Sequence, residues 1–244
     1  MKIRVGHLYP DYLNIYADRG NIAVLSARAA ARGHELSVEA ITLGDSIPDA
    51  DLFYIGGGQD REQQLVTPDL AAKASALRAA VDAGAALLAV CGGYQLLGRF
   101  YRDRDGTELP GIGLLGLHTV AGERRLIGDV LLDCTWAGET LVGFENHAGR
   151  TYLDAGVEPL GRVIAGFGND GESGSEGARM GRVYGTYLHG PLLPRNPWFA
   201  DRLLEDALGH LTGEEHTLEP LSDDLELQAH AVSSERARRR GGRP

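Results

Sequence analysis

Cysteine and lysine are both scarce in this sequence of 244 residues. Its two cysteines, Cys91 and Cys134, are too few for a disulfide framework, and neither has the CxxC or histidine-rich spacing of a zinc site. Of the 24 basic residues only Lys2 and Lys73 are lysines, and neither follows a glycine-rich loop. This excludes a P-loop nucleotide site, and we expect no structural metal and no cofactor.

Long apolar runs and an excess of positive charge are also missing. No window approaches the roughly 18 apolar residues that a membrane-spanning helix needs, and the amino terminus leads directly into a strand-like run rather than a signal peptide. The formal net charge of −10 argues against nucleic acid as a partner. Residues 236–243 form a short basic tail that we expect to be solvated. The sequence therefore predicts a cytoplasmic protein that does not span a membrane.

Strand-like apolar runs alternate with alanine-rich segments in the first half of the chain. This alternation predicts βαβ units and a parallel sheet. Gly33 and Gly84 follow the two helical segments, where a left-handed cap is expected, and Pro68 is a plausible start for the second helix. The predicted strands cover residues 3–8, 36–43, 52–55 and 85–90, and the predicted helices cover 21–32 and 70–83.

Beyond Gly111 the apolar runs become shorter and are separated by glycine, which predicts more antiparallel structure. Residues 169–177 are rich in glycine, serine and glutamate and are typical of a mobile loop. A helix is predicted over 198–208, and a polar helix near the end of the chain. We predict one domain over 1–212 and a carboxyl-terminal helical extension with the basic tail over 213–244.

The most informative segment is the apolar run that stops at Cys91 and continues with Gly92 and Gly93. The run predicts a buried strand, and the glycines allow a sharp turn into a helical segment over 93–101. A thiol at this turn lies at the amino end of a helix, where the helix dipole and free N–H groups favour the thiolate. A lone cysteine is also a common core residue, so this segment alone leaves both interpretations open.

A cysteine nucleophile also needs donors for an oxyanion, and a second strand end offers them. Three glycines, residues 56–58, follow the third predicted strand and allow backbone N–H groups to approach a ligand. The N–H of Gly57 or Gly58, together with that of Gly92, is therefore a candidate donor pair. A simple tight turn is the alternative.

Two histidines compete for the role of general base. His189 ends a strand-like run and is followed by Gly-Pro, so it also lies at a predicted strand end. His147 lies in a polar loop that is dense in hydrogen-bonding side chains. An imidazole at either position can take the thiol proton and return it to a leaving amine. Spacing alone does not choose between them.

Several segments taken together resemble the class I (triad) glutamine amidotransferases. Cys91–Gln95 resembles the Cys-x-Gly-x-Gln element of that family, and Gly143–Gly149 resembles a segment of its cobyric acid synthase-like branch. The resemblance is closest to glutaminase subunits of lipid II isoglutaminyl synthases, and it is carried by segments within Leu8–Ile22, Gly56–Gln63, Gly143–Thr151 and Gly185–Pro194. It implies a flavodoxin-like α/β domain with a central, mainly parallel sheet flanked by helices.

The resemblance also implies the roles of individual residues in glutamine hydrolysis. Cys91 is the implied nucleophile and His189 the implied base, which leaves His147 as a pocket or structural residue. Arg125, which without the resemblance reads as a solvated surface charge, is implied to hold the α-carboxylate of glutamine. The implied substrate-binding residues are Arg125, Gln95, Gly57 and Gly92.

One position departs from the family pattern. Many class I enzymes carry an acid two residues after the histidine to orient it, but this chain has Pro191 there. Either a Cys-His pair suffices, or another acid of this chain acts, with Asp18, Asp60 and Glu145 as candidates, or a partner subunit supplies one. Because loss of an orienting acid slows catalysis strongly, we expect low glutaminase activity from the isolated chain and stimulation by its partner.

The resemblance finally implies a heterodimer with a Mur ligase-like, ATP-dependent subunit. That partner would bind lipid II and use the released ammonia to amidate D-glutamate of the stem peptide, a step of peptidoglycan synthesis. The alternatives are a glutaminase for another, cobyrinate-like acceptor and a cysteine hydrolase or peptidase of similar fold. A peptidase has no evident need for Gln95 and Arg125, and a non-catalytic binding module has no need for the thiol.

Overall fold

The computed structural model describes residues 1–240, which form two sheets with helices around them. Two short 3-10 helices, Ile15–Ala17 and Leu193–Arg195, supplement the main elements. In chain order these are β1 (Lys2–Leu8), α1 (Arg19–Ala31), β2 (Glu35–Ile41), β3 (Leu52–Ile55), α2 (Asp60–Asp82), β4 (Ala86–Val90), α3 (Gly92–Leu96), β5 (Phe100–Arg102), β6 (Glu108–Pro110), β7 (Leu117–Cys134), β8 (Glu139–Leu153), β9 (Gly161–Ala165), β10 (Ser175–Glu176), β11 (Ala178–Met180), β12 (Val183–Thr186), α4 (Pro197–Thr212) and α5 (Asp224–Arg240).

The first sheet has the strand order β11-β12-β4-β3-β1-β2. Its neighbouring strands are parallel except for the edge pair β11 and β12. Both β3 and β4 are buried along their whole length, as expected for apolar strands in the interior of a parallel sheet. The predicted α/β fold with a mainly parallel sheet flanked by helices is confirmed.

The second sheet has the order β10-β9-β7-β5-β6, and β8 pairs with β7. Its pairs are antiparallel except for β5 with β7, which agrees with the prediction for the chain beyond Gly111. The long β7–β8 hairpin changes register between Ala121 and Leu126, so residues 122–125 form a bulge. Bulges redirect side chains at sheet edges and beside active sites, and this one carries Arg125.

Two predicted helix boundaries are wrong. Helix α2 begins at Asp60, and Pro68 lies inside it. Proline is most frequent in the first turn of a helix, but here the acidic residues Asp60 and Glu62 occupy that turn, where they complement the helix dipole. Helix α3 ends at Leu96 rather than near residue 101, because Phe100–Arg102 pair with the second sheet as β5.

Residues 169–177 are anchored, in contrast to the predicted mobile loop. Asn169 is fully buried at the start of the segment. Its side chain accepts from the Gly177 N–H at 2.9 Å and donates to the Gly177 carbonyl at 2.9 Å. This paired contact closes the segment into a loop of defined shape.

The carboxyl-terminal helix α5 lies on the second sheet. Ala237 is buried there in a small apolar cluster with Leu131 and Val142. Arg236 of the predicted solvated tail is exposed, as expected, and it pairs with Asp129 of β7. Residues 241–243 of the tail lie outside the described residues. The domain boundary at residue 212, where α4 ends, stays a prediction. Within residues 1–240, no helix combines the length and the apolar character that a membrane-spanning helix requires.

Candidate active site

The carboxyl ends of four neighbouring strands, β12, β4, β3 and β1, meet at one edge of the first sheet. Ligand sites of parallel sheets form at this edge. Cys91 follows β4, the glycines 56–58 follow β3, and His189 follows β12, so three segments singled out from the sequence come together. Beside them lies a pocket of about 430 Å³ whose lining includes Cys91, Gln95 and Arg125.

Cys91 lies at the sharp turn between β4 and α3. Its backbone has φ 50° and ψ −106°, a strained conformation for a residue with a side chain. The Cys91 N–H donates to the Thr186 carbonyl of β12 at 2.8 Å, and the Gly93 N–H donates to the Gly56 carbonyl at 3.2 Å. The residue is 8% exposed and lines the pocket. A strained strand-to-helix turn that presents its side chain to a pocket is the geometry of a nucleophile elbow.

His189 is held beside Cys91 by its own backbone and is fully buried. Its N–H donates to the Phe144 carbonyl of β8 at 2.8 Å, and its carbonyl accepts from the Phe144 N–H at 3.2 Å. Burial lowers the pKa of His189, but the negative charges of Cys91 and Asp18 outweigh burial and raise this pKa to about 10. This environment favours the imidazolium form of His189.

Asp18 is the carboxylate that faces His189. The Asp18 Oδ1 to His189 Nδ1 distance is 3.7 Å, with both side chains buried, and Asp18 Oδ2 accepts from the Gly57 N–H at 2.6 Å. A distance of 3.7 Å is that of an ion pair, longer than a hydrogen bond. Both His189 ring nitrogens lack a hydrogen-bond partner within residues 1–240. Catalytic hydrogen bonds are often long in the absence of substrate.

The other two candidate acids lie elsewhere in the site. Glu145 Oε2 is 3.5 Å from Nε2 of His147, and Asp60 lines the pocket. His147 is itself engaged, because its ring stacks on Tyr187 with centroids 3.6 Å apart and its Nδ1 lies 2.8 Å from the Gly149 carbonyl oxygen. The structure therefore brings Asp18 to His189 and makes His147 a wall of the pocket.

Gln95 and Arg125 both line the pocket, as their predicted role requires. The Gln95 side chain is buried, donates to the Tyr187 hydroxyl at 3.1 Å and accepts from Gln63 Nε2 at 3.1 Å. Arg125 is exposed, and its Nε and Nη2 donate to the side-chain and backbone oxygens of Asn146, each at 2.7 Å. Neighbouring polar groups thus hold both side chains at the pocket.

The structure changes one of the predicted N–H donors to the oxyanion. The Gly57 N–H is taken by Asp18, whereas Gly58 lines the pocket with Cys91. Gly92 is the first residue of α3, and the first N–H groups of a helix have no intrahelical acceptor. Gly58 therefore replaces Gly57 as the candidate partner of Gly92. Gly57 instead makes room for the base, since a Cβ there would lie 2.7 Å from His189 Cε1.

Sequence reasoning missed two residues at the mouth of the pocket, Tyr16 and Asn146. The Tyr16 ring lies 5.0 Å from the His189 ring, centroid to centroid. Its hydroxyl accepts from Asn146 Nδ2 at 2.6 Å. Both residues lie in segments that carry the family resemblance, but nothing local in the sequence indicates that they meet.

Comparison with known proteins agrees with this geometry. The CobB/CobQ-like glutamine amidotransferase domain matches residues 4–197. Subunit GatD of the glutamine-hydrolyzing lipid II isoglutaminyl synthase from Staphylococcus aureus (strain N315) is 42% identical over 98% of this chain and 97% of its own length. The same subunit from Streptococcus pneumoniae (strain ATCC BAA-255 / R6) is 37% identical over 92% of this chain and 87% of its own length.

More distant matches share the family or the fold. Cobyric acid synthase from Synechococcus sp. (strain CC9605) is 33% identical over 78% of this chain, which corresponds to 37% of that enzyme. The structure of PurLQS from Thermotoga maritima superposes with a TM-score of 0.61 at 17% identity, over 87% of this chain and 100% of that one. The predicted resemblance and the predicted glutamine-hydrolysing class are confirmed. The chain therefore belongs to the CobB/CobQ-like glutamine amidotransferase family.

Proposed function

We propose that this chain is the glutaminase subunit of a two-subunit amidating enzyme and converts L-glutamine to L-glutamate and ammonia. The observation that carries the proposal is the strained turn at Cys91, with a φ of 50°, beside the buried pair of His189 and Asp18. A thiol presented in this way to a pocket, with an imidazolium next to it, is equipped for attack on an amide.

The reaction begins when the Cys91 thiolate attacks the side-chain amide carbon of glutamine. The N–H groups of Gly58 and Gly92 stabilise the resulting oxyanion. The His189 imidazolium gives its Nε2 proton to the leaving nitrogen, so the carbon–nitrogen bond breaks, ammonia departs and a glutamyl thioester remains. His189 then takes a proton from water as the water attacks the thioester, and the carbon–sulfur bond breaks. This restores the Cys91 thiolate and the His189 imidazolium and releases glutamate, whose new carboxyl group loses its proton to solvent. Asp18 keeps Nδ1 protonated and stabilises the imidazolium.

Substrate selection falls to the two polar side chains that line the pocket. Arg125 binds the α-carboxylate of glutamine, and Gln95 contacts the bound substrate near Cys91. An arginine guanidinium suits this role because its planar set of N–H donors matches a carboxylate.

We further propose that the ammonia passes to a Mur ligase-like, ATP-dependent subunit in a heterodimer. That partner binds lipid II and amidates the α-carboxylate of D-glutamate in the stem peptide. In favour of this acceptor, two relatives that align along most of their own length are lipid II isoglutaminyl synthase subunits. The chain spans only about a third of the cobyric acid synthase, which makes a cobyrinate-like acceptor the second candidate.

Amidation of lipid II by the two subunits together tests this function. With ATP and glutamine the wild-type pair forms D-isoglutamine, and the Cys91→Ser pair does not. With ammonium chloride in place of glutamine both pairs form it, because the ligase then needs no glutaminase. Glutamine hydrolysis at the wild-type rate by Cys91→Ser contradicts the mechanism, and amidation of a cobyrinate-like acceptor in place of lipid II supports the second candidate.

A further inference from the structure

A chain of hydrogen bonds crosses the mouth of the pocket from Arg125 to Tyr16. Arg125 donates from Nε to the Asn146 side-chain oxygen and from Nη2 to the Asn146 backbone oxygen, each at 2.7 Å. Asn146 Nδ2 in turn donates to the Tyr16 hydroxyl at 2.6 Å. Asn146 therefore uses both ends of its amide, one toward the substrate-binding arginine and one toward the segment that follows β1.

The contacts with Asn146 fix the direction in which Arg125 can bind a ligand. A guanidinium has five N–H donors, and Asn146 takes one on Nε and one on Nη2. The remaining donors on Nη1 and Nη2 form the outer end of the guanidinium. A carboxylate can bind there through two parallel hydrogen bonds, so the arginine meets it end-on.

Arg125 depends on this support because its backbone does not hold it firmly. It lies in the bulge of β7, where residues 122–125 leave the ladder with β8, and its side chain is exposed. A long exposed side chain otherwise samples many rotamers. Asn146 lies opposite Ile127 in the ladder, directly beyond the bulge, and is placed to restrict that freedom.

Tyr16 connects the same contacts to the catalytic base. Its backbone is left-handed, with φ 55° and ψ 35°, which is strained for an aromatic residue. Its ring packs edge-on to His189, with centroids 5.0 Å apart. Asp18 follows two residues later, so one short segment carries both the residue that Asn146 holds and the acid that faces His189.

We propose that Asn146 is a positioning residue that fixes Arg125 for the α-carboxylate of glutamine and, through Tyr16, links substrate binding to the segment that orients His189. The proposal rests on glutamine hydrolysis as the function of the site. Asn146 acts on the substrate only through Arg125. Its removal therefore affects glutamine binding more than the chemical step.

Steady-state glutamine hydrolysis by the full chain with its ligase subunit tests the proposal. Asn146→Ala raises KM about tenfold, the size expected for a hydrogen bond to a charged group, and changes kcat less. Arg125→Ala lowers kcat/KM further, and the double variant is no worse than Arg125→Ala alone, because residues that act through one contact are not additive. Tyr16→Phe keeps the ring over His189, removes only the hydroxyl and raises KM about threefold.

Tyr152→Phe is the matched control, because Tyr152 is 43% exposed and Tyr16 is 42% exposed. The kcat and KM of Tyr152→Phe stay at the wild-type values. The proposal is overturned if the losses in kcat/KM of the two single variants multiply in the double variant. It is also overturned if kcat falls at constant KM in Asn146→Ala and Tyr16→Phe. If Asn146→Ala lowers the melting temperature, the proposal is judged on the KM of the nearly isosteric variant Tyr16→Phe alone. Hydrolysis that survives in Cys91→Ser refutes the proposed function instead.

Discussion

The Asp18 carboxylate is the group whose removal tests the catalytic site most directly. The substitution Asp18→Asn keeps the size of the side chain and an oxygen that can accept from the Gly57 N–H. It removes the negative charge that lies 3.7 Å from His189 Nδ1. The neutral amide can no longer stabilise the imidazolium that protonates the leaving nitrogen, and we expect kcat to fall.

The distance gives the size of the effect. Opposite unit charges about 4 Å apart attract by about 4 kcal/mol at an effective dielectric constant of about 20, and each ~1.4 kcal/mol changes a rate tenfold. A fall in kcat of about 100-fold to 1000-fold follows for Asp18→Asn. The KM for glutamine changes little, since the proposed substrate contacts are made by Arg125 and Gln95. Ammonia release at saturating glutamine measures the fall.

The pH profile of the same variant provides an independent measurement. The pKa of His189 is about 10, because Cys91 and Asp18 outweigh the lowering effect of burial. The wild-type imidazolium therefore persists at neutral pH and is lost as pH rises through about 10. Without the Asp18 charge the pKa falls, so the alkaline loss of activity begins at lower pH. The reasoning is refuted if Asp18→Asn keeps the wild-type kcat and an unshifted pH profile. It is also refuted if Asp60→Asn loses more kcat than Asp18→Asn.

Three further predictions concern the elbow and its surroundings. In urea unfolding, Cys91→Gly is more stable than Cys91→Ala by about 1 kcal/mol, because glycine adopts the positive φ without strain; equal stabilities contradict the strain. Gly57→Ala lowers kcat about 100-fold, since its Cβ would lie 2.7 Å from His189 Cε1, and a wild-type rate contradicts that contact. Mass spectrometry after iodoacetamide treatment at neutral pH finds Cys91 modified and Cys134 unmodified, because Cys134 is fully buried and burial raises its pKa to about 12.

The parts of the fold and site that can be predicted from this sequence have a local cause. An apolar run that stops at Cys91 and two glycines indicates a buried strand and a turn whatever the rest of the chain does. The same holds for the glycines after β3 and for His189 after β12. Because parallel strands end on one side of a sheet, the strand ends indicate that Cys91, the glycines and His189 meet, although spacing alone leaves His147 as a second candidate base.

The remaining features depend on packing that local patterns do not carry. Asp18 reaches His189 because the segment after β1 packs against the glycines that follow β3, and neither periodicity nor spacing specifies that path. Arg125 reaches the pocket because a bulge interrupts the β7–β8 ladder, which no apolar pattern indicates. For Pro68 the preference of proline for the first turn of a helix led to a wrong prediction, since α2 contains this proline in its interior.

Pro191, which stands where many class I enzymes carry an acid, packs against the segment that carries the candidate acid Asp18. A Cβ at Gly20 would lie 2.6 Å from Pro191 Cγ, so the proline fits closely against the first turn of α1. That turn directly follows Asp18, whose carboxylate lies 3.7 Å from the imidazole of His189. The chain thus contains its own candidate acid, at a distance of 3.7 Å that is still too long for a hydrogen bond. Stimulation of the glutaminase activity by a partner subunit, which the sequence predicts, stays a prediction.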